Sequence, residues 1–139
     1  MKLKYAGVVV RADHADGLVM ARVIGDVTEA SAALIIGDAH KWAPQPLAQV
    51  VSYLSATVGI GADSLFRVAR LAHPADTPTA LVVPVDQFDM FRVYVRMHVE
   101  RGLHKAVFTS EAAARQWAGR QAVVREYWRR LDSSRQSSP

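Results

Sequence analysis

The sequence of 139 residues contains no cysteine, which excludes disulfides, thiolate metal ligands and cysteine nucleophiles. It also has no apolar run near the roughly 20 residues that span a bilayer. The short apolar run near the N-terminus is interrupted by Arg11 and Asp13, too early for the core of a signal peptide. With 50% hydrophobic residues, the chain is predicted to be a cytoplasmic protein folded around one apolar core.

Charge is spread unevenly, although the net charge is only +4. Between residues 115 and 135 the chain carries six arginines against Glu126 and Asp132. A basic helix of this kind attracts nucleic acid or anionic lipid, or is simply a solvated face. The candidate basic face consists of Arg125, Arg129 and Arg130.

Turn signals and apolar patterns predict the element order β-β-α-β-α-β-α-β-α. Asp16-Gly17 is a hairpin signal between two strands, and Pro and Gly residues end the later helices. Strands alternating with helices predict a single α/β domain with a mixed, mostly parallel sheet, an antiparallel first hairpin and helices packed on the sheet. The predicted strands are 3–11, 18–25, 47–56, 80–85 and 105–109, with a helix as the alternative at 47–56. The predicted helices start near Asp26, Ser64, Asp86 and Ser110; the first runs to Trp42, and Gly102 stops the third.

Three segments are predicted along the chain. Residues 1–118 form the α/β domain, and 119–132 form a basic, amphipathic helical extension. Residues 133–139, SSRQSSP, have the composition of a flexible tail. An apolar stripe on the last helix is predicted to pack on the domain itself, with a homodimer contact as the alternative; it comprises Trp117, Val124, Trp128 and Leu131.

The segment GIGADS, residues 59–64, lies between a predicted strand and a predicted helix. It matches two glycines of the dinucleotide fingerprint, but Ser64 replaces the third and Asp63 would repel a phosphate at the helix start. No Gly-Lys-Ser/Thr occurs anywhere in the chain. The segment is therefore interpreted as a strand-to-helix turn in which Asp63 or Ser64 caps the helix.

Catalytic and metal-binding patterns are not found. Ser64 has no G-x-S-x-G elbow, and the histidines have no H-x-x-x-H or H-E-x-x-H spacing. The sequence thus predicts no catalytic residue, no metal site and no cofactor, and the protein is not expected to be an enzyme. The five histidines are His14, His40, His73, His98 and His104. His98 lies on the helix from Asp86, one turn past Tyr94, and is predicted to be a packed or half-exposed side chain.

Two segments resemble the STAS domain family, the fold of anti-sigma-factor antagonists, and within it the SpoIIAA-like branch, related in shape to Sec14-type lipid-binding modules. Residues 79–117 are similar to the ending of that branch, with an apolar strand, a long helix, a short strand with Phe and then S-E-x-A-x-x-x-W. Residues 50–72 have the outline of the STAS strand, loop and helix. The resemblance covers roughly residues 3–118.

The resemblance implies a switch or partner loop at Gly61, Asp63 and Ser64. In regulatory STAS domains a serine at the helix start is phosphorylated, and one alignment places Asp63 at that serine. An alignment shifted by one residue instead pairs Ser64 with the first serine of the motif, so phosphorylation of Ser64 stays open.

The long helix from Asp86 carries apolar residues on two sides. Met90, Tyr94 and Met97 form a candidate apolar ligand or dimer face, unless both sides cover the sheet and a neighbouring helix. The function predicted overall is a non-catalytic regulatory or ligand-binding module of STAS type, which binds a protein partner, a second copy or a small apolar ligand. The alternative is an interaction protein that binds nucleic acid or an acidic partner through its last helix.

Overall fold

The computed structural model describes residues 1–5, 7–15, 17–38, 46–71 and 77–136. Within these ranges the chain forms six strands, four α-helices and one 3₁₀ turn. The strands are β1 Lys2–Tyr5, β2 Val8–Ala15, β3 Leu18–Val27, β4 Ala48–Val58, β5 Thr79–Val82 and β6 Lys105–Phe108. The helices are α1 Glu29–Gly37, α2 Ala62–Leu71, α3 Phe88–Glu100 and α4 Glu111–Gln136, and the 3₁₀ turn is Val85–Gln87.

All six strands form one sheet whose spatial order, β1-β2-β3-β4-β5-β6, is the order of the chain. The pairs β1/β2 and β2/β3 are antiparallel, and the pairs from β3 to β6 are parallel. The predicted α/β class, with a mixed and mostly parallel sheet and an antiparallel opening, is confirmed.

The opening of the sheet contains one strand more than predicted. The segment 3–11 is not a single strand, because the chain reverses between Tyr5 and Val8, which are register partners. Gly7 lies in this reversal with φ 78°, a left-handed conformation that glycine adopts without a steric penalty. The second hairpin follows at Gly17, φ 76°, where the sequence predicts it.

Each face of the sheet carries its own apolar core. Val51 and Leu81 point to the first core, which α1, α2 and α3 cover with side chains such as Ile35, Leu65 and Phe91. Because β3 to β6 follow one another in the sheet, crossovers of one hand place these three helices on the same face. The second core lies on the opposite face under α4 and consists of Ala48, Val50, Ala80, Val82, Ala114, Ala118 and Ala122.

The first helix begins two residues later than predicted. Its N-cap is Thr28, not Asp26: the Ser31 N–H donates to Thr28 Oγ1 over 3.2 Å, and the Thr28 N–H donates to Ser31 Oγ over 2.8 Å. Such a reciprocal capping box satisfies two backbone donors that a helix start leaves without intrahelical partners. The helix ends at Gly37, and the predicted continuation to Trp42 lies outside the described residues.

The starts of the later helices also differ in detail. The N-cap of α3 is Gln87 rather than Asp86, because the 3₁₀ turn takes up Asp86 before the helix begins. Ser110 does cap α4, since its Oγ accepts from the Ala113 N–H over 3.3 Å. The end of α3 at Gly102, φ 80°, agrees with the prediction.

The last helix, α4, runs from Glu111 to Gln136 without a break at Gly119. Its start is tied to β3 by an ion pair of 3.2 Å between Arg22 Nη2 and Glu111 Oε2. Residues 133–136 of the predicted tail form its last turn, where Arg135 complements the helix dipole. Residues 137–139 lie outside the described ranges.

Candidate functional site

The four parallel strands end at one edge of the sheet, which we call the carboxyl edge. In open α/β sheets, ligands bind beyond the carboxyl ends of the strands. The first turns of α1 and α2 follow β3 and β4 at this edge. They bring together Glu29, Asp63, Ser64 and Arg67, which we call the helix-start cluster.

Hydrogen bonds connect three members of the helix-start cluster. The Arg67 guanidinium donates from Nε to Glu29 Oε1 over 2.6 Å and from Nη2 to Glu29 Oε2 over 3.1 Å, a bidentate pair. The Ser64 hydroxyl donates to Glu29 Oε2 over 3.1 Å and accepts from Arg67 Nη2 over 3.0 Å. The two helix starts are thereby fixed to each other.

Glu29 and Arg67 hold each other in the charged state at neutral pH. The hydrogen bonds from Arg67, and then from Ser64, hold the pKa of the Glu29 carboxyl below its usual range. The Glu29 carboxylate in turn raises the pKa of Arg67 through the same hydrogen bonds, and Asp63 adds a smaller electrostatic contribution. The side chains of Arg67 and Glu29 nevertheless remain 59% and 39% exposed. They are thus oriented by each other and still accessible to a large partner.

The three predicted loop residues, Gly61, Asp63 and Ser64, all lie at the carboxyl edge, but they make different interactions there. Gly61 and Asp63 are exposed, and α2 begins at Ala62, so Asp63 and Ser64 belong to its first turn. Gly61 accepts the first hydrogen bond of the helix, from the Leu65 N–H over 3.0 Å. Asp63 at this position complements the positive end of the helix dipole. Only Ser64 joins the hydrogen-bonded network.

Sequence reasoning missed Glu29 and Arg67, which contribute both charges of the bidentate pair. They are 38 residues apart, so no local pattern relates them. The available signal was positional: each lies in or near the first turn of a helix that follows a parallel strand. Such turns meet at one edge of a sheet.

The candidate apolar face on α3 is distributed over the first core. Tyr94 is only 7% exposed, and its ring meets the rings of Phe91 and His98 edge-on at centroid distances of 6.2 and 4.5 Å. Burial, and then the nearby Tyr53, raise the pKa of Tyr94. Met90 and Met97 are half-buried against the same core. The three side chains therefore do not form one exposed surface.

His98 is the largest fully buried side chain of the described residues, with 1% exposure. Neither of its ring nitrogens has a hydrogen-bond partner within the described ranges. Burial, followed by the positive charges of Lys105 and Arg101, lowers the pKa of His98 to about 4. The sequence predicted a packed or half-exposed His98, and the structure places it in the core as a neutral ring.

The predicted basic face lies on the second half of α4. Arg129 and Arg130 are exposed and Arg125 is half-buried. Arg130 Nε contacts Glu126 Oε1 over 3.2 Å. The apolar stripe differs from its prediction, because Val124 and Trp128 are 53% and 55% exposed and do not pack on the domain. Of the two tryptophans in the stripe, Trp117 packs on the domain, where its ring lies next to that of Phe108 at a centroid distance of 6.2 Å.

The described residues contain neither a metal-binding cluster nor a membrane-spanning helix. No group of three or more His, Asp or Glu side chains in the described part of the chain has an arrangement that would hold a metal ion. His14 and His104 are exposed on the surface, and His40 and His73 fall outside the described residues. None of the helices in the described ranges has the length and apolarity needed to cross a membrane.

No protein-family model matches the sequence, and no curated protein matches it. The structure is similar to the crystal structure of an uncharacterized protein of the DUF3478 family, with a SpoIIAA-like fold, from Shewanella loihica PV-4. The two are 10% identical, the likeness covers 85% of this chain and 98% of that chain, and the TM-score is 0.54. This chain therefore has a SpoIIAA-like, STAS-type α/β fold, as the resemblance implied. At that identity the likeness concerns the fold alone.

Proposed function

We propose that this protein is a non-catalytic regulatory module of STAS type that acts in the cytoplasm and binds a protein partner at its carboxyl edge. The observation that carries the proposal is the bidentate pair of Arg67 with Glu29, which fixes two charged side chains and leaves both accessible. Charged groups held in one geometry lose less conformational entropy when a partner pairs with them.

A macromolecular partner fits this edge better than a small apolar ligand does. Phe66, which precedes Arg67 in α2, is 43% exposed, so the same helix presents an apolar side chain and a member of the charged cluster. Protein interfaces combine such an aromatic anchor with a polar rim. The apolar-ligand alternative receives less support, because Tyr94 is packed within the core.

Phosphorylation would act on this surface through Ser64. A phosphate on its hydroxyl would meet the Glu29 carboxylate and compete with it for Arg67, because both are within hydrogen-bond distance of Ser64 Oγ. We propose that this competition would open the bidentate pair and change the charge that the partner meets. Asp63, already in the first turn, supplies a permanent negative charge beside it.

The test is photo-crosslinking in cells with a benzophenone amino acid placed at position 66 of the full chain. The matched control places it at position 99, because Val99 is 52% exposed on α3. We expect one partner band from position 66 and not from position 99. A second copy of this chain would appear as a band of twice the mass.

Specificity is tested by adding Arg67→Ala to the crosslinking chain, with Arg92→Ala as the matched control. Arg92 is an exposed arginine that also pairs with an acid, Asp89, at 3.8 Å. Arg67→Ala should reduce the band about tenfold, as expected for an interface anchor, and Arg92→Ala should not. Equal bands from positions 66 and 99, or a band indifferent to Arg67→Ala, would reject the carboxyl edge as the binding surface.

A further inference from the structure

The second half of α4 extends past the domain. Ala122 is the last buried residue of this helix within the described range. Residues 123–136, which we call the arm, continue for about 21 Å at the usual helical rise. An isolated helix of this length is only marginally stable in water, so a surface that covers one of its faces would stabilise it.

The arm has an apolar stripe that no described part of the domain covers. Val124, Tyr127 and Trp128 are 53%, 59% and 55% exposed, and the rings of the two aromatic residues contact each other at a centroid distance of 5.6 Å. Together with Leu131 they recur at three- and four-residue steps and lie on one side of the helix. Tyr and Trp are the residues that favour the boundary between water and lipid.

Arginines flank this stripe and also end it. At about 100° per residue, Arg125 and Arg130 lie roughly 100–120° to either side of the stripe centre, while Arg120 and Arg135 lie on the stripe side at its two ends. From residue 120 to residue 135 there are five arginines against Glu126 and Asp132. Asp132 lies on the same flank as Arg125, and Arg130 is paired with Glu126, but arginines remain on both flanks and at both ends. The surface that covers the stripe must therefore accept a net positive charge around it.

A second copy of the chain does not meet this requirement. A two-fold antiparallel pair of arms that places Tyr127 opposite Trp128 also places Arg120 opposite Arg135 at both ends. A parallel pair places each arginine opposite its own copy. Like charges that face each other across a helix pair destabilise it, so charge complementarity disfavours self-association.

Duplex DNA fits the arm poorly as well. A helix that binds DNA directs its arginines to the phosphates and bases from the face that contacts the groove. Here Tyr127, Trp128 and Leu131 form the apolar side of the helix, and Arg129 lies nearly opposite to it. An anionic lipid surface accepts the apolar stripe between its headgroups, while the flanking arginines reach the phosphates.

We propose that the arm of α4 lies in the interface of a membrane that contains anionic phospholipids, with Val124, Tyr127, Trp128 and Leu131 facing the acyl chains. This surface is separate from the carboxyl edge and does not depend on the function proposed there. Binding would bring the domain to the membrane without any segment crossing it. Each arginine near an anionic leaflet strengthens such binding by about fivefold.

The test uses co-sedimentation of the purified full chain with vesicles of phosphatidylcholine alone or with 30% phosphatidylglycerol. We expect binding to the anionic vesicles in 0.1 M salt and its loss in 0.5 M salt, because salt screens the headgroups. The double variant Tyr127→Ala/Trp128→Ala should weaken binding at least about tenfold. Phe66→Ala, a change of a similarly exposed aromatic residue elsewhere, should leave vesicle binding unchanged.

Two further measurements keep the outcomes separate. The fluorescence of Trp128 should shift to shorter wavelength when the protein binds anionic vesicles. The variant Trp128→Phe should still bind them, but the fluorescence of its two remaining tryptophans should not shift. Circular dichroism of every variant establishes that the domain is folded. Arg67→Ala should bind vesicles as the wild type does. A negative result for partner binding at the carboxyl edge can therefore be distinguished from a negative result for membrane binding by the arm.

The proposal is overturned by equal binding to neutral and anionic vesicles, or by no binding to either. It is also overturned if sedimentation equilibrium shows a dimer that Tyr127→Ala/Trp128→Ala dissociates, since the stripe would then cover a second copy. Salt-dependent binding to a 30-base-pair duplex in place of vesicles would assign the arm to nucleic acid instead.

Discussion

Arg67 Nε lies 2.6 Å from Glu29 Oε1, and this contact joins the first turn of α1 to α2 across two successive crossovers. The pair depends on the parallel register of β3 and β4, which places both helix starts at the same edge. The effect of this pair on the pKa of Glu29 can be measured on the free protein, separately from its effect on partner binding.

The pKa of Glu29 should rise when Arg67 is replaced by Ala. Hydrogen bonds from Arg67 are the largest cause of the lowered pKa of this carboxyl, and Ser64 contributes the next largest. The depressed pKa stabilises the fold above the ordinary pKa of glutamate, and this contribution is lost as the pH falls through the folded value. Carbon-detected NMR titration of Glu29 measures the change, and Arg92→Ala should leave the titration where it was.

Acid should destabilise the protein through His98. Its pKa in the fold, about 4, lies below its ordinary 6.5, so protonation favours the unfolded chain. The contribution of neutral His98 is present above pH 6.5 and is lost as the pH falls towards 4, by about 3 kcal/mol in total. Urea unfolding of the wild type and His98→Phe between pH 7.5 and 4.5 measures the difference.

His14→Gln is the control for this titration, because His14 is exposed on β2. This variant should keep the full pH dependence, whereas His98→Phe should lose the part between pH 6.5 and 4. Parallel unfolding free energies for His98→Phe and the wild type over this range would contradict a buried neutral imidazole.

Substitution of Gly25 should be costly. Its φ of 118° is unfavourable for any residue with a Cβ, and a Cβ at this place would run into the carbonyl oxygen of Gly7. Gly25→Ala should lower the free energy of unfolding by at least about 2 kcal/mol. Gly119→Ala is the matched change in α4, where a Cβ meets nothing within 4 Å, and it should raise stability by about 0.5–1 kcal/mol.

The cap of α1 gives a comparison between two neighbouring positions. Thr28→Ala removes the acceptor for the Ser31 N–H and should cost about 1 kcal/mol of unfolding free energy. Asp26→Ala changes an exposed residue of β3 and should stay within about 0.5 kcal/mol of the wild type. Thermal and urea unfolding of the two variants decide between the two positions. A larger loss of unfolding free energy for Asp26→Ala than for Thr28→Ala would contradict Thr28 as the N-cap.

The element order and the mixed sheet were predictable because their signals are local. Asp16-Gly17, the apolar run at residues 80–85 and the helix stop at Gly102 each need only a few neighbouring residues. The hairpin at Gly7 was missed because Leu3, Tyr5, Val8 and Val10 are apolar on both sides of it, and a continuous apolar run hides a reversal. The helix starts moved by about two residues, which is the usual scatter of local signals.

The candidate site was predictable only in part. Ser64 and Asp63 were identified from the loop itself, but Glu29 and Arg67 become neighbours only when α1 and α2 lie side by side. The burial of His98 likewise depends on packing that periodicity does not report. The exposure of the arm was not predicted either. The spacing of Val124 and Trp128 is the same for a stripe that packs on its own domain and for one that does not.

The sequential order of the strands has a consequence for how the chain is assembled on the ribosome. Each strand pairs with the strand made immediately before it, so no part of the sheet has to wait for a distant partner. The first face is covered progressively as α1, α2 and α3 emerge. The opposite face stays open until α4, the last element, arrives to shield Val50 and Val82. Synthesis of the final helix is therefore the step that ends the exposure of apolar sheet in the nascent protein.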